Sequence, residues 1–174
     1  MALLERGTGA QARLRLVELV TNEIRQPSYA FNTILPWTVL GPVANPAAGL
    51  YSTHSWTNDV FLGKSTFMVD AFMNPAGFAV DSRDSAAIHI AALLSDETNG
   101  ERLWASGPSV TANDLLKIWR EAFPDRKILP DFDLPQAPRV VLDTSKSTQL
   151  LREFQGRGWY TLKETVLANV AEVL

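Results

Sequence analysis

The sequence predicts an α/β fold, a small sheet flanked by about five helices. Three observations carry this reading. Ala30–Leu35 is apolar apart from Asn32 and runs into a loop rich in Pro and Gly, as a buried strand of a parallel sheet does. Short extended runs at Phe78–Val80 and Arg102–Ala105 bracket a stretch with the composition of a helix. The second half then carries three further helical stretches, each with a recognisable start.

Taken in order, residues 10–25 place Leu14, Val17, Leu19 and Val20 among charges, which predicts an amphipathic helix stopped near Pro27. Tyr29–Leu35 is the principal strand, with Asn32 as its strongly polar interruption. Pro42–Asn58 reads as loop, with two further prolines, Gly49 and many small polar residues. Val60–Met73 is mixed and lacks a clear period. Phe78–Val80 is a short strand. Asp81 or Ser82 then caps a helix to about Leu94, with Asp84 in the first turn, where the helix dipole favours an acid. Arg102–Ala105 is another short strand. From Thr111, the residues Leu115, Ile118, Trp119 and Ala122 recur at helical spacing until Pro124 ends the pattern. Ile128–Pro130 and Val140–Leu142 read as short extended pieces. Asp143 or Thr144 starts a helix to about Phe154, and Gly156 and Gly158 break it. Thr161 and Glu164 have capping-box spacing and open a terminal helix through Val166, Asn169, Val170 and Leu174. Trp119, Leu115, Ile118, Val166 and Val170 are the expected core, and Trp104 and Trp159 are expected to pack rather than to form a stacking platform.

The chain of 174 residues is long enough for one domain with a real core. Its net charge of −3 and the lack of a basic run exclude the electrostatic footprint of a nucleic-acid binder. With no Cys there is neither disulfide nor thiolate chemistry. No apolar run approaches the roughly 18 residues of a membrane span. Charge at Glu5 and Arg6 interrupts what would be the apolar core of a signal peptide, so a cytoplasmic location is expected.

Four segments together resemble the C-terminal half of an extended short-chain dehydrogenase/reductase. They are most similar to the group of fungal aldehyde reductases, dihydroflavonol reductases and cinnamoyl-CoA reductases. "NTILPWTVLGP" (32–42) resembles the strand after the family's catalytic helix and the loop that touches the nicotinamide. "FAVDSRDSAAIHIAALL" (78–94) is similar to the Phe-Val-Asp-Val-Arg-Asp segment with its later His. "GERLWASGPSVTANDLLKIWREAFPD" (100–125) and "DTSKSTQLLREFQGRGWYTLKETVLANV" (143–170) resemble the family's remaining segments up to its C-terminus. The resemblance covers the chain from about residue 10 onward and implies a truncated, Rossmann-like remnant.

Two of the family's functional elements have no counterpart in the sequence. No Gly-x-Gly-x-x-Gly run is present to bring backbone N–H groups against a pyrophosphate. The family's Tyr-x-x-x-Lys pair falls at about Glu5 and Gly9, and no Tyr precedes Tyr29 and no Lys precedes Lys64. The expectation is therefore no cofactor and no stand-alone dehydrogenase activity.

What the resemblance leaves is a substrate pocket. Pro36, Trp37 and the loop to Pro42 retain part of the wall on the cofactor side. Trp56 and Asn58 are placed near the substrate. His54 titrates near neutrality and, with Asp59 or Asn58 beside it, is the candidate acid/base. Glu5 is a weaker candidate, at the position of the missing Tyr. His89 is expected to be structural, with a backbone partner. Asp81, Arg83 and Asp84 are expected to form a cap and a local ion pair. The two histidines have no metal-ligand spacing, so no metal is expected.

The function expected is a cofactor-independent, non-redox step on an apolar small molecule, of the isomerase, cyclase or lyase type. The alternative is a non-catalytic small-molecule-binding or accessory subunit of a split NADP-dependent reductase. A truncated product with no activity of its own is the third reading. A strand as apolar as Ala30–Leu35, with only short extended pieces to flank it, also predicts a homodimer.

Overall fold

The computed structural model describes residues 29–136 and 140–174. The helix expected at 10–25, and with it Glu5 and Gly9, lies outside the described residues. The apolar stretch gives two strands rather than one. Strand β1 is Thr33–Pro36 and β2 is Thr38–Leu40, with Trp37 alone between them. A 3-10 turn at Pro46–Ala48 leads to helix α1, Ser52–Phe61, and helix α2 is Phe67–Phe72. Strand β3 (Gly77–Asp81) runs directly into α3 (Ser82–Leu94). Strands β4 (Arg102–Ala105) and β5 (Ser109–Val110) precede α4 (Ala112–Ala122). Helices α5 (Ser145–Gln155) and α6 (Leu162–Val170) come next, and the chain ends in a 3-10 turn, Ala171–Val173.

The α/β reading holds, and the sheet is divided. β1 pairs in parallel with β4, from Thr33 opposite Arg102 to Pro36 opposite Ala105. β2 pairs in parallel with β3, from Thr38 opposite Ala79 to Leu40 opposite Asp81, and β3 pairs antiparallel with β5. Trp37 is therefore the point at which the chain leaves one sheet for the other. Among the described residues β1 has a strand on one edge only.

Asn32, the polar interruption of the apolar stretch, explains where β1 begins. Its Nδ2 donates to the carbonyls of Ala92 and Thr98 at 3.1 and 2.7 Å, and its Oδ1 accepts from Glu101 N at 3.1 Å. One side chain thus joins the head of β1 to the turn between α3 and β4.

The larger core lies under α1, α2, α4 and α6. Trp119 is completely buried there and meets Phe61 edge-on, with ring centroids 5.3 Å apart. Leu115, Val166 and Val170 are buried as expected, and Ile118 is half-buried. A second cluster joins α3, β4 and α5 through Ile88, Leu103, Leu150 and Leu151. The helix starts are where their residues place them. Asp81 accepts from Arg83 N at 2.9 Å to cap α3, and Thr161 and Glu164 form a reciprocal capping box on α6. Thr111 and Asp114 form a second box on α4.

Three expectations are corrected. Residues 52–58 are not loop but the first two turns of α1. The run Ser-Thr-His-Ser-Trp-Thr-Asn has weak intrinsic helix preference, so its packing determines the outcome. Thr53 Oγ1 donates to Val39 O at 2.8 Å, while Thr57, Asn58, Val60 and Phe61 are buried. The unpatterned stretch 60–73 contains the end of α1 and all of α2. Ile128–Pro130 and Val140–Leu142 form no strand; the first is pinned by Arg120, whose Nη2 donates to Leu129 O at 2.6 Å.

Candidate functional site

Pro36 and Trp37 stand at the carboxyl end of β1, where the two sheets part. In an open α/β sheet this is the place where the crevice for a ligand forms. Pro36 is exposed and Trp37 is 54% exposed. The Trp37 indole meets Phe78 edge-on at 5.9 Å. Behind it, Gly77 has no room for a side chain. A Cβ there would lie 2.2 Å from the Phe72 carbonyl oxygen and 3.5 Å from Trp37 Nε1. Glycine thus lets the end of α2 come up against the indole. Phe72 in turn stacks on Trp56 at 5.6 Å and 21°, and Phe67 meets Trp56 edge-on at 4.9 Å. Phe72, Trp56 and Phe67 form one aromatic face, on which Phe67 is exposed, while Trp37 pairs with Phe78.

His54 is not on that face. Successive helical residues turn by about 100°, so Trp56 lies about 200° around α1 from His54. His54 and Asn58, four apart, share the opposite side, which meets α6. Here Asn169 of α6 is completely buried. Its Nδ2 donates to Asn58 Oδ1 at 3.0 Å and to the His54 carbonyl at 3.3 Å, and its Oδ1 accepts from Gly41 N at 3.2 Å. Asn58 Nδ2 stands 3.4 Å from His54 Nδ1. His54 Nε2 is buried and has no hydrogen-bonding partner among the described residues, with the Gly41 backbone beside it. Burial lowers the His54 pKa below its ordinary value, and Glu172 and Gly41 offset this only in part.

The structure thus brings Asn58 to His54, turns Trp56 to the other side of α1 against Phe67 and Phe72, and sets Trp37 against Phe78. Asp59, expected to orient His54, has no hydrogen bond to it; at five residues along the helix it points elsewhere, and Asn58 holds that place. Sequence reasoning missed Asn169. Its signal was a polar residue on the otherwise apolar Val166–Val170 face. It also missed Phe67 and Phe72, which no clear period marked. His89 meets expectation: its Nδ1 lies 2.7 Å from the Ser85 carbonyl of its own helix, which it can only donate to.

A second polar cluster lies at the start of α3. The Asp81 carboxylate is buried and takes Arg83 Nε and Nη2 at 2.8 Å each, with Thr165 Oγ1 donating at 2.9 Å. Burial alone would raise the Asp81 pKa, but these hydrogen bonds outweigh it and leave the carboxyl below its ordinary value. Asp84 is also buried; it accepts from Tyr160 N at 2.6 Å and from Gln155 Nε2 at 3.1 Å. There burial dominates and raises its pKa. Tyr160 is sandwiched between the Arg83 and Arg157 guanidinium groups, each 3.5 Å from the ring centroid. A small cavity beside Asp81, Asp84, Gly107 and Trp159 belongs to this cluster. As expected, the cluster serves as cap and ion pair, and it ties the α5–α6 connection to α3. Among the described residues no group of three or more His, Asp or Glu is placed to hold a metal ion, and no helix is long and apolar enough to cross a membrane.

Parallel strand pairs, with a helix between β3 and β4, define an α/β half-fold. Solved structures share this fold. A structure of yeast methylglyoxal/isovaleraldehyde reductase Gre2 complexed with NADPH matches 95% of this chain and 48% of its own, with a TM-score of 0.69 and 24% identity. No family model matches the sequence. Among curated proteins, ketoreductase adrE of Penicillium rubens is 30% identical over 152 residues, covering 86% of this chain and 44% of its own length. Aldehyde reductase 2 of Sporidiobolus salmonicolor is 23% identical, covering 81% of this chain and 40% of its own. The chain belongs to the extended short-chain dehydrogenase/reductase family and spans less than half the length of these curated relatives.

Proposed function

We propose that this chain supplies the substrate side of a reductase-type pocket. It binds an apolar small molecule bearing an aldehyde or ketone against the exposed Trp37, and a dinucleotide-binding unit furnishes the nicotinamide. The observation that carries this is the exposure of Pro36 and Trp37 at the carboxyl end of β1, where the chain passes into β2 and where ligands of open α/β sheets bind. The relatives' names, ketoreductase and aldehyde reductase, support the carbonyl class. Because no Tyr precedes Tyr29 and no Lys precedes Lys64, the family's proton-donor pair has to come from elsewhere.

A second reading is the cofactor-independent, non-redox step of an isomerase, cyclase or lyase. It is favoured by His54, whose Nε2 is buried without a hydrogen-bonding partner among the described residues and whose pKa burial lowers. In that reading His54 is the catalytic group and Asn58 positions it, and Trp56, on the opposite side of α1, does not line that site.

One experiment separates the readings. The chain is titrated with acetophenone, monitored by tryptophan fluorescence, and separately with NADPH. Saturable quenching by the ketone is expected, weakened about tenfold, or ~1.4 kcal/mol, in Trp37→Ala. NADPH is expected not to bind the chain alone at low micromolar concentration. Ketone reduction should appear only when the dinucleotide-binding half of a ketoreductase relative is added. Conversion by the chain alone, without NADPH, establishes the second reading; unsaturable quenching with no reconstitution overturns the first.

Self-association is proposed as well. β1 has a strand on only one edge among the described residues, and an open edge invites a second strand. Light scattering at micromolar concentration is expected to give twice the mass of the 174-residue chain; a monomer mass refutes it.

A further inference from the structure

We infer that Asn169 is the positioning residue of the His54 site: acting through Asn58, it fixes the imidazole in the tautomer that carries its proton on Nε2. The inference rests on the reading of His54 as the polar group of the site, and its test needs no substrate.

Each step is forced by a group with a single hydrogen-bonding role. Gly41 N is a backbone donor and nothing else, and it lies 3.2 Å from one terminal atom of the Asn169 amide. That atom must be the oxygen. The other terminal atom is then the NH2, and it faces the His54 carbonyl at 3.3 Å, which only accepts. The two backbone groups agree, so the flip state of Asn169 is determined. The same NH2 reaches the Asn58 amide at 3.0 Å, so the Asn58 atom there must be its oxygen. The Asn58 NH2 is thereby turned toward His54 Nδ1, 3.4 Å away. Facing a donor, Nδ1 has to present its lone pair, and the neutral ring holds its hydrogen on Nε2. Asn58 and Asn169 are both buried, so water does not compete for these bonds.

The consequence is chemical. At Nε2 the ring donates and does not accept. It can donate to an acceptor there, but it cannot take a proton through Nε2. Nε2 is buried and has no hydrogen-bonding partner among the described residues. Protonation of the ring would put a hydrogen on Nδ1 against the Asn58 NH2. Glu172, in the terminal turn, is the charged group bearing on the ring, and it favours that protonation.

The test is the two-bond 1H–15N correlation spectrum of the full 15N-labelled chain at neutral pH. The two histidines are told apart with His89→Gln. The wild-type His54 is expected to show the Nε2–H pattern. Asn169→Asp keeps an acceptor for Gly41 N but replaces the NH2 with oxygen. Asn58 must then flip, and the His54 pattern should reverse to Nδ1–H. Asn58→Asp forces the same reversal one step nearer the ring, and serves if the first variant does not fold. A role for Asn169 in merely holding α6 would shift melting and leave the tautomer alone. An Nδ1–H pattern in the wild type overturns the inference, as does an unchanged pattern in a folded Asn169→Asp. Failure of acetophenone to bind at the Trp37 face would refute the functional reading and leave this result standing.

Discussion

Replacing Asp81 with Ala is expected to lower stability by about 2–4 kcal/mol, because one carboxylate holds three parts of the fold together. The helix cap on Arg83 N accounts for about 1 kcal/mol of this. The Thr165 hydroxyl, left buried without its acceptor, costs about 1–3 kcal/mol more. The ion pair with Arg83 adds less than its bidentate geometry suggests, because the Arg83 side chain is 39% exposed and solvent screens it. The effect depends on pH with a definite sign. The folded pKa of Asp81 lies below its unfolded value, so its contribution is complete above the unfolded value and is lost as pH falls through the folded one. Asp84 acts in the opposite sense. Its folded pKa is raised, so the cost of burying its charge eases as the medium turns acid. Urea denaturation at neutral and at acid pH should show the gap between wild type and Asp81→Ala closing in acid. A gap that stays constant would mean that the hydrogen bonds around Asp81 do not depend on its charge.

Trp119→Ala should cost about 3–5 kcal/mol, the range for removing a fully buried aromatic. Trp119 packs against Phe61 of α1, and Phe123 packs edge-on against the same ring at 5.5 Å. The loss should reach beyond α4. α1 begins with residues that do not favour a helix and stands because of its buried face. Far-ultraviolet circular dichroism at moderate denaturant should therefore show helix lost beyond what α4 alone supplies, and Trp56 emission should shift to the red. Trp119→Phe, which retains most of the volume, should cost much less. Equal losses in the two variants would show that volume at this position is not what supports α1.

How much of the fold is legible in the sequence depends on whether the signal is local. Asp81, Thr111, Thr161 and Glu164 are read within a turn of where they act, and the structure places the caps there. The Trp119 face is periodic and is legible for the same reason. α1 is not, because its residues have weak helix preference and its support comes from distant partners, among them β2 and α6, 14 and 111 or more residues away, and Trp119 of α4. The site obeys the same rule. Trp37 is visible from its place beside Pro36, and Trp56 from its apolar bulk among small polar residues. Reading 52–58 as a loop, however, hides the rotation that sends His54 and Trp56 to opposite sides of one helix. Pro36, which has no backbone N–H to donate, marks where the first strand ends, but nothing after it shows that Thr38–Leu40 resumes as a strand of a second sheet.

That division has a consequence for how the chain tolerates change. Side chains along a strand alternate with a period of two, so adding or removing one residue exchanges its faces. β1 and β2 are joined by Trp37 alone, and they serve different sheets. The spacing between Ile34, which packs on the α3–α5 cluster, and Leu40, which lies in the core under α1, is therefore fixed by a count of residues. Position 37 is free in chemical identity, as a side chain half in solvent can be, but not in number. An insertion or deletion there would turn Thr38 and Leu40 out of the core and put the two sheets out of phase.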